Sequence, residues 1–251
     1  MELVHVTIEQ GGTAMVSLHQ GKVNAIDEPM VDELSQALTG LEKDDNVKLV
    51  VLTGSHKFFS FGFDIPQFMS YDRSAFTSFL IKFTRLYQNL FVFPKPVIAA
   101  INGHCIAAGA MLACACDYRI MVAGRAKIGI NELGFGSTVF AGTVEMLQYV
   151  VGTRNARKIL YSADLLSAAD AMTLGLVDKV TTSIDMTGEL ARLARQFTGR
   201  DPRAFASIKS LMRRTAHETM VQRESHSIHQ FVDIWYSGET RERLAAITIH
   251  D

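Results

Sequence analysis

Residues 96–120 read PVIAAINGHCIAAGAMLACACDYRI, and residues 128–136 read IGINELGFG. PVIAAI and YRIMVA (118–123) read as two buried strands. Between them lies a stretch of small residues that reads as a buried helix. Its start, Ala107-Ala108-Gly109, carries no Ser, Thr, Asp or Asn to cap the first N–H groups. The second stretch isolates one carboxylate, Glu132, within an otherwise apolar run. A bare helix N-terminus and a lone acid in an apolar run therefore frame the reading of the whole chain.

Working outward, the opening LVHVTIEQGGTAMVSLH is two alternating runs joined by Gly11-Gly12, a β-hairpin pattern. A helix is predicted after Asp27, with Pro29 in its first turn and Met30, Val31, Leu34, Leu38 and Leu41 on one face. KLVVLTG (48–54) is a further buried, parallel strand. From Ser74 to Phe91 the residues Phe76, Phe79, Leu80, Phe83, Leu86, Tyr87 and Leu90 recur at helical spacing, until FPKP forbids continuation. After residue 140 helices dominate, with one strand-like interruption at LVDKVTT (176–182). No strand is apparent beyond about 184, and three helical blocks follow. In the second block Ile228, Phe231, Val232 and Trp235 form a stripe that a helical appendage does not easily bury alone. The division expected is an α/β core over 1–190 and a helical region over 191–251.

Composition bounds the function. The 251 residues are 48% apolar and 20% charged, a globular profile, and a formal net charge of −1 offers no field to steer nucleic acid or an anionic membrane. The longest apolar stretch is broken by Asn102, Gly103 and His104, so it is no bilayer span. The N-terminus lacks a basic segment followed by an apolar one, and no secretion signal is expected. Cys105, Cys114 and Cys116 make neither a metal nor a disulfide framework, which fits a reducing, cytoplasmic setting. His226 and His229 share a helix face without an acid or cysteine to complete a metal site, so no metal is expected. KSLMRR (209–214) reads as a solvated basic face or a neighbour of phosphates rather than an RNA-binding surface.

Two glycine-bearing loops carry the candidate chemistry. In KFFSFGFDI (57–65), Gly62 permits a tight approach of backbone and lets the Phe63 amide point into a cleft. At Ala107-Ala108-Gly109 the free amides of a helix N-terminus offer donors to an anion. Two such donors converging on one oxygen make an oxyanion hole. The residues alone leave a second reading open, in which both glycines serve only turns and packing. Glu132 divides likewise: Asn131 beside it fits a surface turn, whereas apolar neighbours would raise its pKa and suit it to take and return a proton.

The stretches KVNAID (22–27), FFSFGFDI (58–65), PVIAAINGHCIAAGAMLACACDYRI (96–120), IGINELGFG (128–136) and AADAMTLGLVDKVT (168–181), in that order and spacing, resemble the crotonase superfamily of enoyl-CoA hydratases and isomerases. The resemblance covers essentially the whole length. It implies a crotonase-like spiral of ββα units, a C-terminal helical trimerisation region, a coenzyme A thioester as substrate, no separate cofactor, and a homotrimer or dimer of trimers. By motif position the oxyanion donors are the amides of Phe63 and Ala108. Hydratases of the family carry two glutamates, one three residues beyond the second donor and one in a later P-E motif. Here those positions hold Met111 and Glu132. One carboxylate suits a Δ3,Δ2-enoyl-CoA isomerase, in which Glu132 removes a proton from C2 of a 3-enoyl-CoA and returns it at C4. Apolar residue 111 with GINE, CDYRIM and QRESHSIHQFV is similar to the mitochondrial-type isomerases.

The resemblance also implies that the backbone around Lys22, Val23 and Ala25 meets the adenine and pantetheine portion, with Lys57 near a phosphate. Phe61, Ile65, Ala107 and Asn131 are expected to border the thioester, and Asp64 to cap the turn beneath the glycine loop. Phe61 stands where a small alanine is usual, Ala108 replaces a glycine, and GFGSTV (134–139) lacks the common proline. Hydration, another crotonase-type reaction and a silent acyl-CoA-binding subunit are the alternatives.

Overall fold

The computed structural model describes residues 2–247. The opening runs pair as antiparallel strands β1 (Val4–Glu9) and β2 (Thr13–Leu18). After β3 (Ala25–Ile26), helix α1 (Glu28–Lys43) starts where expected: the Asp27 carboxylate accepts from the Met30 amide at 2.9 Å, and the predicted apolar face is buried.

From there the chain repeats one pattern. A mainly apolar strand is followed by a short strand and then a helix. The first round is β4 (Leu49–Thr53), β5 (Phe58–Ser60), β6 (Gly62–Phe63), α2 (Ile65–Phe68) and α3 (Arg73–Phe91). The second is β7 (Val97–Ile101), β8 (His104–Ile106) and α4 (Ala108–Ala115). The third is β9 (Tyr118–Val122), β10 (Lys127–Gly129), a 3-10 turn (Glu132–Phe135) and α5 (Ala141–Ser162). β11 (Leu166–Ser167), α6 (Ala168–Thr173) and β12 (Lys179–Thr181) close the core.

Each round adds one strand to each of two sheets. The main sheet runs β1-β2-β4-β7-β9-β12, and all its pairs beyond the hairpin are parallel. The second sheet runs β11-β10-β8-β5, with β5, β8 and β10 mutually parallel. This is the spiral of ββα units that the motif order implies. Strands buried on both faces need nearly continuous apolar sequence, which is why KLVVLTG and PVIAAI show no alternation, while Arg119 in YRIMVA is buried through its ion pair with Asp178 at 2.8 Å.

Three helices follow the last described strand: α7 (Met186–Thr198), α8 (Pro202–Trp235) and α9 (Gly238–Ala245). They are less of an appendage than the sequence suggests. The Ile228, Phe231, Val232 and Trp235 stripe is buried in its own chain, where Trp235 packs on Phe76 of α3 at 4.6 Å between ring centroids and Phe231 stacks on Phe140 at 4.5 Å. The basic patch is likewise not a solvated face. Lys209 and Arg213 are buried and grip Asp117, with Nζ–O and Nη2–O distances of 2.7 and 3.0 Å, and Arg213 also lies over the Phe91 ring. Burial pushes the Lys209 ammonium down to about 8, while Asp117 pulls it back up. Asp117 additionally accepts from the Val97 amide at 2.7 Å, so one carboxylate ties α8 to the main sheet. His226 and His229 are exposed on α8.

Removing one member of a buried ion cluster leaves the others charged without compensation. Asp117→Ala is therefore expected to lower unfolding free energy by about 3–5 kcal/mol. Urea denaturation with an unchanged m-value checks this.

Candidate active site

Three loops leave the same edge of the second sheet. β5, β8 and β10 are parallel neighbours, so the segments following them emerge side by side. These are the segments with Gly62-Phe63, Ala107-Ala108 and Asn131-Glu132. Sites in α/β proteins form at such carboxyl ends. The Ala107 amide donates to the Gly129 carbonyl at 2.8 Å, locking the second loop to the third.

The glycine loop is fixed from below by a side chain that the motif reading passed over. Asn24 is fully buried at φ +51, and its Nδ2 donates to the carbonyls of Phe58 (2.9 Å) and Ser55 (3.2 Å). Ser60 Oγ donates to the Asn24 carbonyl at 2.7 Å and accepts from the Gly62 amide at 3.1 Å. The Phe61 amide donates to the Val23 carbonyl at 3.0 Å, and Ala25 pairs with Gly62 in the β3–β6 ladder. KVNAID is thus the cradle of the glycine loop. Asp64 caps α2, accepting from the Gln67 amide at 3.1 Å.

Gly62 sits at φ +103, and a Cβ there would lie 2.9 Å from Ala107 Cβ and 3.4 Å from the Ala108 nitrogen. The backbone immediately before Phe63 therefore faces the start of α4. A Cβ on Gly109 would lie 2.8 Å from the Ser60 carbonyl oxygen, so helix and loop interlock. Ala107 precedes the helix at φ +52, ψ −121, a conformation that side chains disfavour and that functional sites often hold. It provides no side-chain cap, and Ala108, as first helical residue, has no intrahelical acceptor for its amide.

Glu132 opens the 3-10 turn after β10 and is 4% exposed. Its Oε2 has no hydrogen-bond partner among the described residues. Burial pushes its carboxyl up to about 8, with a backbone hydrogen bond acting in the opposite sense. The pocket around it is lined by Phe61, Phe63, Ile65, Ala107 and Asn131 among the expected residues. Among the described residues, Glu132 is the one carboxylate in that lining. Ile106, Phe135, Phe231, Trp235 and Ile247 complete the wall. None of these was assigned to the site from sequence; the helical stripe identified Phe231 and Trp235 as apolar without showing what they face.

Other expected residues lie outside the wall. Lys22 and Lys57 are exposed, Val23 is half-buried, Ala25 and Ala108 are buried, and Asp64 serves α2. Met111, one turn into α4, is fully buried, with the Thr143 hydroxyl 3.2 Å from its sulfur. It leaves no acid at that position.

A carboxyl with a raised folded pKa keeps a proton that the unfolded chain has released. Stability from Glu132 is therefore present below its ordinary value of 4.5 and is lost as pH rises to about 8. Glu132→Gln is expected to raise Tm clearly at about pH 9 and only slightly at about pH 5, as calorimetry would read.

The spiral brings these three loops together around one buried carboxylate, the arrangement of an α/β fold with a candidate active site at the carboxyl ends of its strands. The enoyl-CoA hydratase/isomerase family model matches residues 8–246, and the chain belongs to that family, the crotonases. It is a crotonase-family acyl-CoA enzyme. A probable enoyl-CoA hydratase of Bacillus subtilis is 33% identical over 84% of this chain and 82% of its own length. A short-chain-enoyl-CoA hydratase of Clostridium acetobutylicum is 30% identical over 85% and 83%. The crystal structure of human mitochondrial Δ3-Δ2-enoyl-CoA isomerase superposes with a TM-score of 0.92 at 26% identity, covering 97% of this chain and 95% of that one.

Proposed function

We propose that the protein is a Δ3,Δ2-enoyl-CoA isomerase in which Glu132 alone carries the proton. The observation that carries this reading is the pocket wall, where Glu132 is the one carboxylate among the described residues while the buried thioether of Met111 occupies the position of the second acid. Addition of water across a 2-enoyl thioester needs one group to activate water and another to deliver a proton. Moving a double bond needs one group used twice. Glu132 removes a proton from C2, charge spreads through a dienolate onto the thioester oxygen, and the same carboxyl protonates C4. The amides of Phe63 and Ala108 stabilise that oxygen; each such donor is worth about 2.7–4 kcal/mol in comparable sites. Glu132 Oε2 makes no hydrogen bond among the described residues, which supports a role for that oxygen in proton transfer.

The likeness to the human isomerase supports this reading, while the hydratase names of the bacterial relatives favour hydration as the second one. Coenzyme A enters as part of the substrate, and no cofactor is required. Lys22, Val23 and Ala25 are assigned to the adenine and pantetheine portion. The trimer belongs to this reading as well: Ile208, Leu211 and Met212 form an exposed apolar patch on α8 that a second copy would cover. No described helix is long and apolar enough to cross a membrane, and the reaction is assigned to the cytoplasm.

Met111→Glu tests the reading by restoring the missing acid. Hydration of crotonyl-CoA is expected to rise by at least about tenfold over wild type, the low end of what one positioned acid or base supplies. Wild-type hydration as fast as isomerisation would favour the second reading.

A further inference from the structure

Helix α9 reaches the turn that carries Glu132. Thr240 is 3% exposed, and its hydroxyl donates to the Gly136 carbonyl at 2.7 Å. The N–H of the same peptide unit, that of Ser137, donates to the Glu132 carbonyl at 2.9 Å. A peptide unit is planar and stiff, so a bond to its oxygen also aims its N–H. Thr240 is therefore linked to the backbone of Glu132 through one rigid group.

The turn has little else to hold it at its ends. It is four residues long (Glu132–Phe135), its start at Asn131 has no side-chain cap, and it stops at Gly136 in the left-handed region at φ +80. A 3-10 turn has poorer hydrogen-bond geometry than an α-helix and depends more on its surroundings. The carboxyl in the pocket wall stands on the first residue of this turn. The donor, by contrast, sits on an anchored helix. Ser237 caps α9, accepting from the Thr240 amide at 3.4 Å. Arg241 Nη2 donates to the Met69 carbonyl at 3.0 Å, at the end of α2, and its guanidinium lies over the Tyr236 ring. Tyr236 in turn donates its hydroxyl to the Tyr71 carbonyl at 2.6 Å. Neighbouring residues of α9 thus grip two segments that wall the pocket, α2 through Arg241 and the Glu132 turn through Thr240.

We infer that Thr240 is a positioning residue for proton transfer: its hydroxyl, acting through the Gly136–Ser137 peptide, holds the turn that sets where the Glu132 carboxyl stands. The inference rests on the reading of Glu132 as the proton carrier, and two of its tests need no turnover.

Thr240→Val keeps the branched shape and removes the hydroxyl, whereas Thr240→Ser keeps the hydroxyl. For conversion of 3-hexenoyl-CoA, kcat is expected to fall about 10–100-fold in Thr240→Val and to stay within about threefold of wild type in Thr240→Ser. The Kd of hexanoyl-CoA should change by less than about threefold in both, because a saturated thioester makes no use of the proton carrier. Carbon-13 NMR titration of the Glu132 carboxyl needs no reaction. Burial holds that group up at about 8 in wild type, and it should titrate lower in Thr240→Val, where a loosened turn admits water. Hydrogen exchange on wild type is the other such test: the Ser137 amide should open together with the amides of α9. A kcat in Thr240→Val within about threefold of an active wild type overturns the inference. So do an unchanged Glu132 titration, a Thr240→Ser variant as impaired as Thr240→Val, and a Ser137 amide that exchanges ahead of α9. A wild type that leaves 3-hexenoyl-CoA unconverted counts against isomerisation, and titration and exchange then decide the role of Thr240. Exchange, made on wild type alone, decides it also where Thr240→Val does not fold.

Discussion

Glu132→Gln is expected to lower kcat for a 3-enoyl-CoA by about 10³-fold or more, because a group acting first as base and then as acid loses both roles in one substitution. The amide fills nearly the same volume and remains polar, so the dissociation constant for a saturated acyl-CoA should change little. Separating kcat from binding distinguishes a lost proton carrier from a damaged pocket. The pH profile adds a second reading of the same group. Proton abstraction requires the ionised carboxyl, which burial holds up to about 8, so kcat/KM of wild type should rise with pH and level off above that value. Activity falling from neutral pH upward would oppose a base at this position.

Gly62→Ala should have the next largest effect. Its φ of +103 disfavours any side chain, and the new methyl would meet Ala107 Cβ at 2.9 Å, against the loop that starts α4. Relief of that contact must move the Phe63 amide, the Ala108 amide, or both. Losing one oxyanion donor lowers kcat by about 10²–10³-fold. Thioester affinity should suffer less, since the ground-state carbonyl carries little of the charge that the dienolate develops. Steady-state kinetics paired with ligand titration checks this; unchanged kcat would mean that Gly62 serves packing alone.

Local patterns carried much of the fold. Apolar-rich runs marked β4, β7 and β9, Asp27 and Pro29 marked the start of α1, and the phenylalanine spacing marked α3. Glu132 was legible because a carboxylate amid apolar residues is unusual. Partners remote in the chain were not legible. Lys209 pairs with Asp117 across 92 positions, so KSLMRR looked like an exposed patch although two of its cations are buried. Asn24 holds the Phe58 carbonyl 34 positions away, a role that KVNAID does not display by itself. Phe231 and Trp235 announced burial through their spacing. Which surface they would bury, and that it includes the pocket wall, depended on α8 packing against α3 and α5.

The central claim is that one carboxyl moves a proton from C2 to C4 without adding water. Paired incubation of wild type with 3-hexenoyl-CoA and 2-hexenoyl-CoA in deuterated water, followed by mass and NMR analysis, tests it most directly. The predicted result is conversion of the first to the conjugated 2-enoyl thioester, with any incorporated deuterium on carbon and negligible 3-hydroxyhexanoyl-CoA from either. Formation of 3-hydroxyhexanoyl-CoA from 2-hexenoyl-CoA at a rate matching or exceeding isomerisation would contradict it.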